Sequence, residues 1–217
     1  VSRKQFEEMN IKNNANYNLE EDRALFRQGI LTLMKKFEEV LKSSVEILVG
    51  SQDNLLKYVT FDSLISTFAG EEKLLGTVIK EFLDAIPPIS EKRIGMIKAK
   101  LELLSRIVQG QVFRQNGKYS FSFSLTITET REVVLPKIIE ELELHFGRLH
   151  GQDPTPIKGS SEQTLCIRVM GDMVDNLQHQ LQEGKIHEKN QIVESLYQIF
   201  PLMKEVRTYF EALVAEH

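Results

Sequence analysis

The stretch Thr155-Pro156-Ile157-Lys158-Gly159-Ser160 holds the most suggestive grouping of reactive or anion-binding residue types in this chain. Lys158 can offset an anionic group. Gly159-Ser160-Ser161 at a helix start could present unpaired backbone N–H groups to it, although a plain helix cap uses the same residues. His150 lies shortly upstream. The five histidines are His145, His150, His179, His187 and His217, and no two of them stand four residues apart. The lone cysteine, Cys166, has no second thiol to work with, so zinc-ligand spacing is absent. His179 falls between Leu177 and Leu181, off the apolar stripe, and reads as a solvated surface histidine. Cys166 sits among apolar residues and reads as a buried small hydrophobe. Glu20-Glu21-Asp22 and Glu140, Glu141 and Glu143 suit helix starts and faces, where carboxylates stabilise without doing chemistry. No Walker A, G-x-G-x-x-G, G-x-S-x-G or H-E-x-x-H motif occurs. The expectation is therefore no catalytic residue, no metal and no cofactor.

The elements that would position these residues are mostly helical. Residues 1–17 are polar and rich in asparagine, and read as a flexible N-terminal arm. Phe26, Ile30, Leu33, Phe37, Val40, Ser44 and Leu48 then step by three or four, predicting one long helix to about Val49. Phe61, Leu64, Ile65 and Phe68 predict a short helix with Asp62 as its cap. Leu74 to Ile86 predict another, ended by Pro87-Pro88. Ile94, Ile97, Leu101, Leu104 and Val108 give a helical seam. Tyr119 to Thr128 alternates apolar residues with Ser and Thr behind Asn116-Gly117, which predicts a β-hairpin. A helix from Val134 or Lys137 follows, with Pro136 in its first turn. Leu165, Val169, Met173, Leu177 and Leu181 mark the next. Ile192, Leu196, Ile199, Met203, Val206, Phe210 and Leu213 mark the last, bent or split by Pro201. No internal repeat of clean period is visible. The expected fold is mainly α: an antiparallel helical bundle over 18–217, with a β-hairpin and helix inserted at about 110–156.

Composition narrows the class of partner. The chain has 217 residues, 27% of them charged, and a net charge of -4. No Lys/Arg block stands out, which argues against nucleic acid. No apolar run reaches the roughly 20 residues that span a bilayer. A single cysteine and the lack of a visible signal peptide favour the cytoplasm.

One family resemblance rests on ordered matches. Phe61-Asp62, Phe68-Ala69-Gly70-Glu71, Leu74-Leu75, Phe82-Leu83 and Pro87 resemble the opening of histidine-containing phosphotransfer domains, and Lys158-Gly159-Ser160 resembles their active-helix motif. Thr155 stands where that family has its phosphoryl-accepting histidine, and a large insertion separates the two halves. The resemblance implies a degenerate bundle in two-component signalling that docks a receiver or kinase domain without turnover. Thr155, Lys158, Gly159 and His150 would then form the partner face. The alternatives are a helical adaptor or oligomerisation module, for which a second copy of the chain is a candidate partner, and a small-molecule carrier lined by Phe121, Phe123 and Phe146.

Overall fold

Apolar residues recurring at three- and four-residue intervals drive each segment of this chain into helix, because only that period puts them on one buried face. The computed structural model describes residues 19–43, 49–68, 70–87, 94–113, 124–151, 161–183 and 186–215. Among the described residues there are seven α-helices and no strand. They are α1 (Leu19–Lys42), α2 (Val49–Tyr58), α3 (Glu72–Ala85), α4 (Ile94–Gln109), α5 (Ser124–Gly151), α6 (Ser161–Glu183) and α7 (Ile186–Ala215). A single 3₁₀ turn, Asp62–Leu64, lies between α2 and α3.

The helices are arranged as two rows. The dominant contacts join each helix to the next but one: α1 with α3, α3 with α5 and α5 with α7 in one row, α2 with α4 and α4 with α6 in the other. Helices adjacent in sequence touch less, apart from α6 and α7. This is the packing of stacked helical repeats, in which each unit buries its face against its neighbours.

The row contacts follow from small and apolar residues at facing positions. On α3, Leu75, Val78, Ile79, Phe82 and Leu83 are buried, and Phe82 meets Phe61 edge-on with ring centroids 5.5 Å apart. Burying each such side chain contributes about 1.5–3 kcal/mol. Gly76 lets α5 approach closely, since a Cβ built there would stand 2.8 Å from Val133 Cβ and 3.0 Å from the Thr130 carbonyl oxygen. Thr130 Oγ1 also donates to the Glu72 carbonyl at 3.0 Å. Ahead of α3, Gly70 takes φ 90°, a left-handed conformation suited to glycine. Its N–H donates to the Glu72 carboxylate at 2.5 Å. Arg27 of α1 pairs with Glu71 at the same corner.

In the other row, α6 carries two parallel stripes. Val169, Met173 and Leu177 are fully buried, as the sequence spacing predicts. Beside them Asp172, Asn176 and Gln180 form a polar ladder toward α4 and the turn behind it. Asp172 Oδ2 accepts from Ser105 at 3.2 Å and from Gln109 at 2.7 Å. Asn176 Nδ2 donates to the Val108 carbonyl at 2.8 Å, and Gln180 Nε2 to the Phe113 carbonyl at 3.2 Å. The Asn176 bond satisfies a carbonyl that the end of α4 would otherwise leave unpaired, and the Gln180 bond satisfies one in the turn beyond it. Gln52 does the same for α1, with Nε2 within 2.8 Å of the Val40 carbonyl and 2.8 Å of the Ser43 carbonyl.

Several sequence expectations are corrected here. The inserted hairpin is contradicted over 124–128, which form the first turns of α5. The alternation with Ser and Thr gives way to a helical period in which Thr130, Arg131, Val134, Leu135, Ile138 and Ile139 are buried. Asn116-Gly117 and Tyr119 to Phe123 lie outside the described residues. Pro136 sits inside α5 rather than in its first turn. It is exposed, as is Glu132 one turn before it, and having no N–H it cannot donate to the Glu132 carbonyl. Pro201 is likewise exposed within α7, which runs through it as one helix. The first long helix ends at Lys42, and α2 is a separate element. The stripe at 61–68 forms only a 3₁₀ turn, where Asp62 caps no helix but accepts the Val112 N–H at 3.1 Å. The expected arm at 1–17 lies outside the described residues.

Candidate docking face

Helix α7 is apolar on two faces. Its inner face, Ile192, Ile199, Leu202 and Val206, is buried against α5 and α6. Its outer face carries Val193, Tyr197, Phe200 and Met203, spaced by four and three, with 37%, 67%, 56% and 40% of their surfaces exposed. The Tyr197 and Phe200 rings lie 5.8 Å apart and tilted by 43°, so they present one aromatic surface. An exposed apolar stripe of this kind is a recognised form of helix-docking surface. Lys189, Lys204 and Arg207 continue the same stripe at both ends, the last two exposed.

The row also leaves Leu25, Phe26 and Leu33 of α1 exposed. The sequence reading placed Phe26 and Leu33 on the buried face. In the structure Met34 and Leu41 are buried there, with Ile30, Leu31 and Phe37 packed beside them.

The ionisable residues inside the molecule join helices. Lys100 of α4 pairs with Glu141 of α5. Lys137 of α5 reaches Asp84 of α3 at 2.7 Å, Glu141 at 3.1 Å and Glu140 at 3.1 Å. Burial holds the Lys100 ammonium below its usual range despite the opposing pull of Glu141. Burial also works against the charge on Lys137, but the hydrogen bonds it donates to Asp84, Glu140 and Glu141 outweigh it and raise its pKa. Desolvation works against the Asp84 carboxylate, and its bonds to Lys137 and Lys80 more than offset that, so its pKa is lowered. Arg131, almost fully buried, donates to Gln180, and desolvation lowers its pKa. His145 is fully buried, with Nδ1–H donating to Glu162 Oε1 at 2.8 Å, which ties α5 to the start of α6. Among the described residues no group of three or more His, Cys, Asp or Glu could hold a metal ion.

The partner face expected from sequence lies mostly outside the described residues. Thr155, Lys158 and Gly159 lie outside the described residues. His150 belongs to the last turn of α5. His179 is exposed and Cys166 buried, as read from sequence. Of the aromatics assigned to a carrier pocket, Phe146 is fully buried in the core, and Phe121 and Phe123 lie outside the described residues. A void between Phe61, Leu103, Arg106 and Val112 measures about 10 Å³, room for at most one water. What sequence reasoning missed is the outer α7 stripe. Its signal was present in the spacing of Val193, Tyr197, Phe200 and Lys204, a second set at helical period beside the first.

No helix among the described residues is long and apolar enough to cross a membrane. No solved structure matches the chain. A sequence profile described as the dedicator of cytokinesis (DOCK) TPR region matches residues 10–208. This overturns the phosphotransfer resemblance and with it the two-component and phosphorelay assignment. The motif residues that suggested it, Phe61-Asp62 to Pro87, are spent on a 3₁₀ turn and on α3, which is packed between α1 and α5. Amphipathic stripes and a proline stop serve stacked helices as well as they serve a bundle. The matched span and the two-row stack of helices agree, and the chain belongs to the dedicator of cytokinesis (DOCK) TPR region family.

Proposed function

We propose that this chain is a non-enzymatic helical interaction module, and that the outer face of α7 docks a helix of a protein partner in the cytoplasm. The observation that carries this is the exposed stripe Val193, Tyr197, Phe200 and Met203. A solvated helix face is ordinarily polar or charged, and this face of α7 is apolar and aromatic instead. The helical adaptor reading is supported by the family match, and the buried ion pairs, which hold helices together, suit a scaffold. Replacing Tyr197 with a photo-crosslinking phenylalanine in the full chain tests the idea, with Lys36 on α1 as the control position. Cross-links to a protein partner at 197 well above those at 36 are expected. Equal yields at the two positions would remove the α7 face from consideration. A second contact around His150, Thr155, Lys158 and Gly159 is tested separately by Gly159→Trp, which would weaken capture of the same partner if that segment takes part.

A further inference from the structure

We propose that the α7 face selects an amphipathic helix whose apolar stripe is bounded by carboxylates; this rests on the docking role assigned to that face. The positions Lys189, Val193, Tyr197, Phe200, Lys204 and Arg207 advance by four and three, so 3.6 residues per turn lines them up along one side of α7. The middle of the line is apolar and both ends are basic. From 189 to 207 the acidic residues are Glu194 and Glu205, and each follows a stripe position, Val193 or Lys204, at roughly 100° round the helix. The whole chain carries a net charge of -4, so a basic-ended stripe stands against the general sign of the protein. Lys204 and Arg207 each have a partner within their own chain. Exposed polar pairs are worth about 0–1 kcal/mol, so exchanging such a contact for a partner's carboxylate is close to neutral. Such charges fix register and sign of a partner more than they add affinity. The same stripe could in principle attract an anionic lipid surface, but the acidic remainder of the molecule opposes that.

The test uses the full chain and two synthetic helical peptides with the same leucine stripe, one ending in glutamates and one in lysines, followed by fluorescence anisotropy. Vesicles of phosphatidylcholine with and without phosphatidylserine form a third arm. The acidic peptide should bind, lose affinity on Phe200→Ser and weaken as salt is raised. The pair Lys204→Glu and Arg207→Glu should lower its affinity about tenfold and raise that of the basic peptide. Equal binding of both peptides, with no salt dependence, overturns the charge inference and leaves the docking role standing. Absence of binding by either peptide, together with equal cross-linking at 197 and 36, removes both. Binding to phosphatidylserine vesicles that Phe200→Ser abolishes, without peptide binding, assigns the face to lipid and refutes the proposal.

Discussion

Alanine at Gly76 and alanine at Gly29 are the same chemical change in the middle of a helix, and the structure gives them opposite signs. In either helix the exchange favours the folded state by about 0.8–1 kcal/mol, because glycine carries the larger entropy cost. At Gly29 nothing lies within 4 Å of the added methyl, so a gain of about 0.5–1 kcal/mol should be realised in full. At Gly76 the methyl would stand 2.8 Å from Val133 Cβ, 3.0 Å from the Thr130 carbonyl oxygen and 3.3 Å from Thr130 Cα. Two of these atoms are backbone and the third is attached to it directly, so α5 itself must shift. Forcing such contacts costs about 1–3 kcal/mol, and the shift also strains the 3.0 Å bond from Thr130 Oγ1 to the Glu72 carbonyl. The clash outweighs the propensity, leaving a net loss of about 1 kcal/mol and at most ~2 kcal/mol. For a chain of this length that lowers Tm by about 2–4 °C per kcal/mol. Urea and thermal unfolding followed by far-UV circular dichroism would read both variants against the parent. If Gly76→Ala raises the midpoint as Gly29→Ala does, the close approach of α3 and α5 described here is wrong.

Three further perturbations probe the polar groups between helices. Glu141→Gln leaves Lys100 and Lys137 short of a buried counter-charge, and breaking a buried pair from one side costs about 3–5 kcal/mol; urea midpoints measured beside the less buried Glu140→Gln would show the contrast, and equal effects would count against the cluster. Asp84 has a folded pKa below its unfolded value, so its contribution is present above the unfolded carboxylate range near ~4 and is lost as pH falls through the lowered folded value. Stability profiles between roughly pH 5 and 2 should therefore fall less steeply in Asp84→Asn than in the parent, and parallel profiles would contradict the pairing with Lys137. Gln52→Leu removes the donor that α2 offers to the end of α1, at a cost of about 1–3 kcal/mol; hydrogen exchange should rise in the last turn of α1 first, and unchanged protection there would argue against the capping role.

Helices with one clean stripe were legible. The spacing of Val169, Met173 and Leu177 in α6 and of Ile97, Leu101, Leu104 and Val108 in α4 identified both the element and its buried side. The start of α5 was not legible, because a serine and threonine alternation imitates a strand until packing on α3 decides for helix. Helix α2 escaped notice since its most informative residue is Gln52, a polar side chain whose value lies in carbonyls far off in sequence. The polar ladder of α6 was hidden for the same reason. The α7 surface was missed because one stripe had already accounted for the helix, and a second set of apolar residues at the same period went unremarked. Row order leaves no short-range mark at all: contacts between helices two apart are set by shape at facing positions such as Gly76.

Because each helix leans chiefly on the one two places along, the molecule behaves less like a closed body than like a short linear array with a limited cooperativity length. Disturbance travels along it by hand-offs. Fraying that starts in α7 must pass through α5 and α6 before α1 and α2 feel it, so amide protection should be graded along the rows instead of uniform. The same arrangement keeps most contacts at moderate sequence separation, which favours rapid assembly from several nuclei.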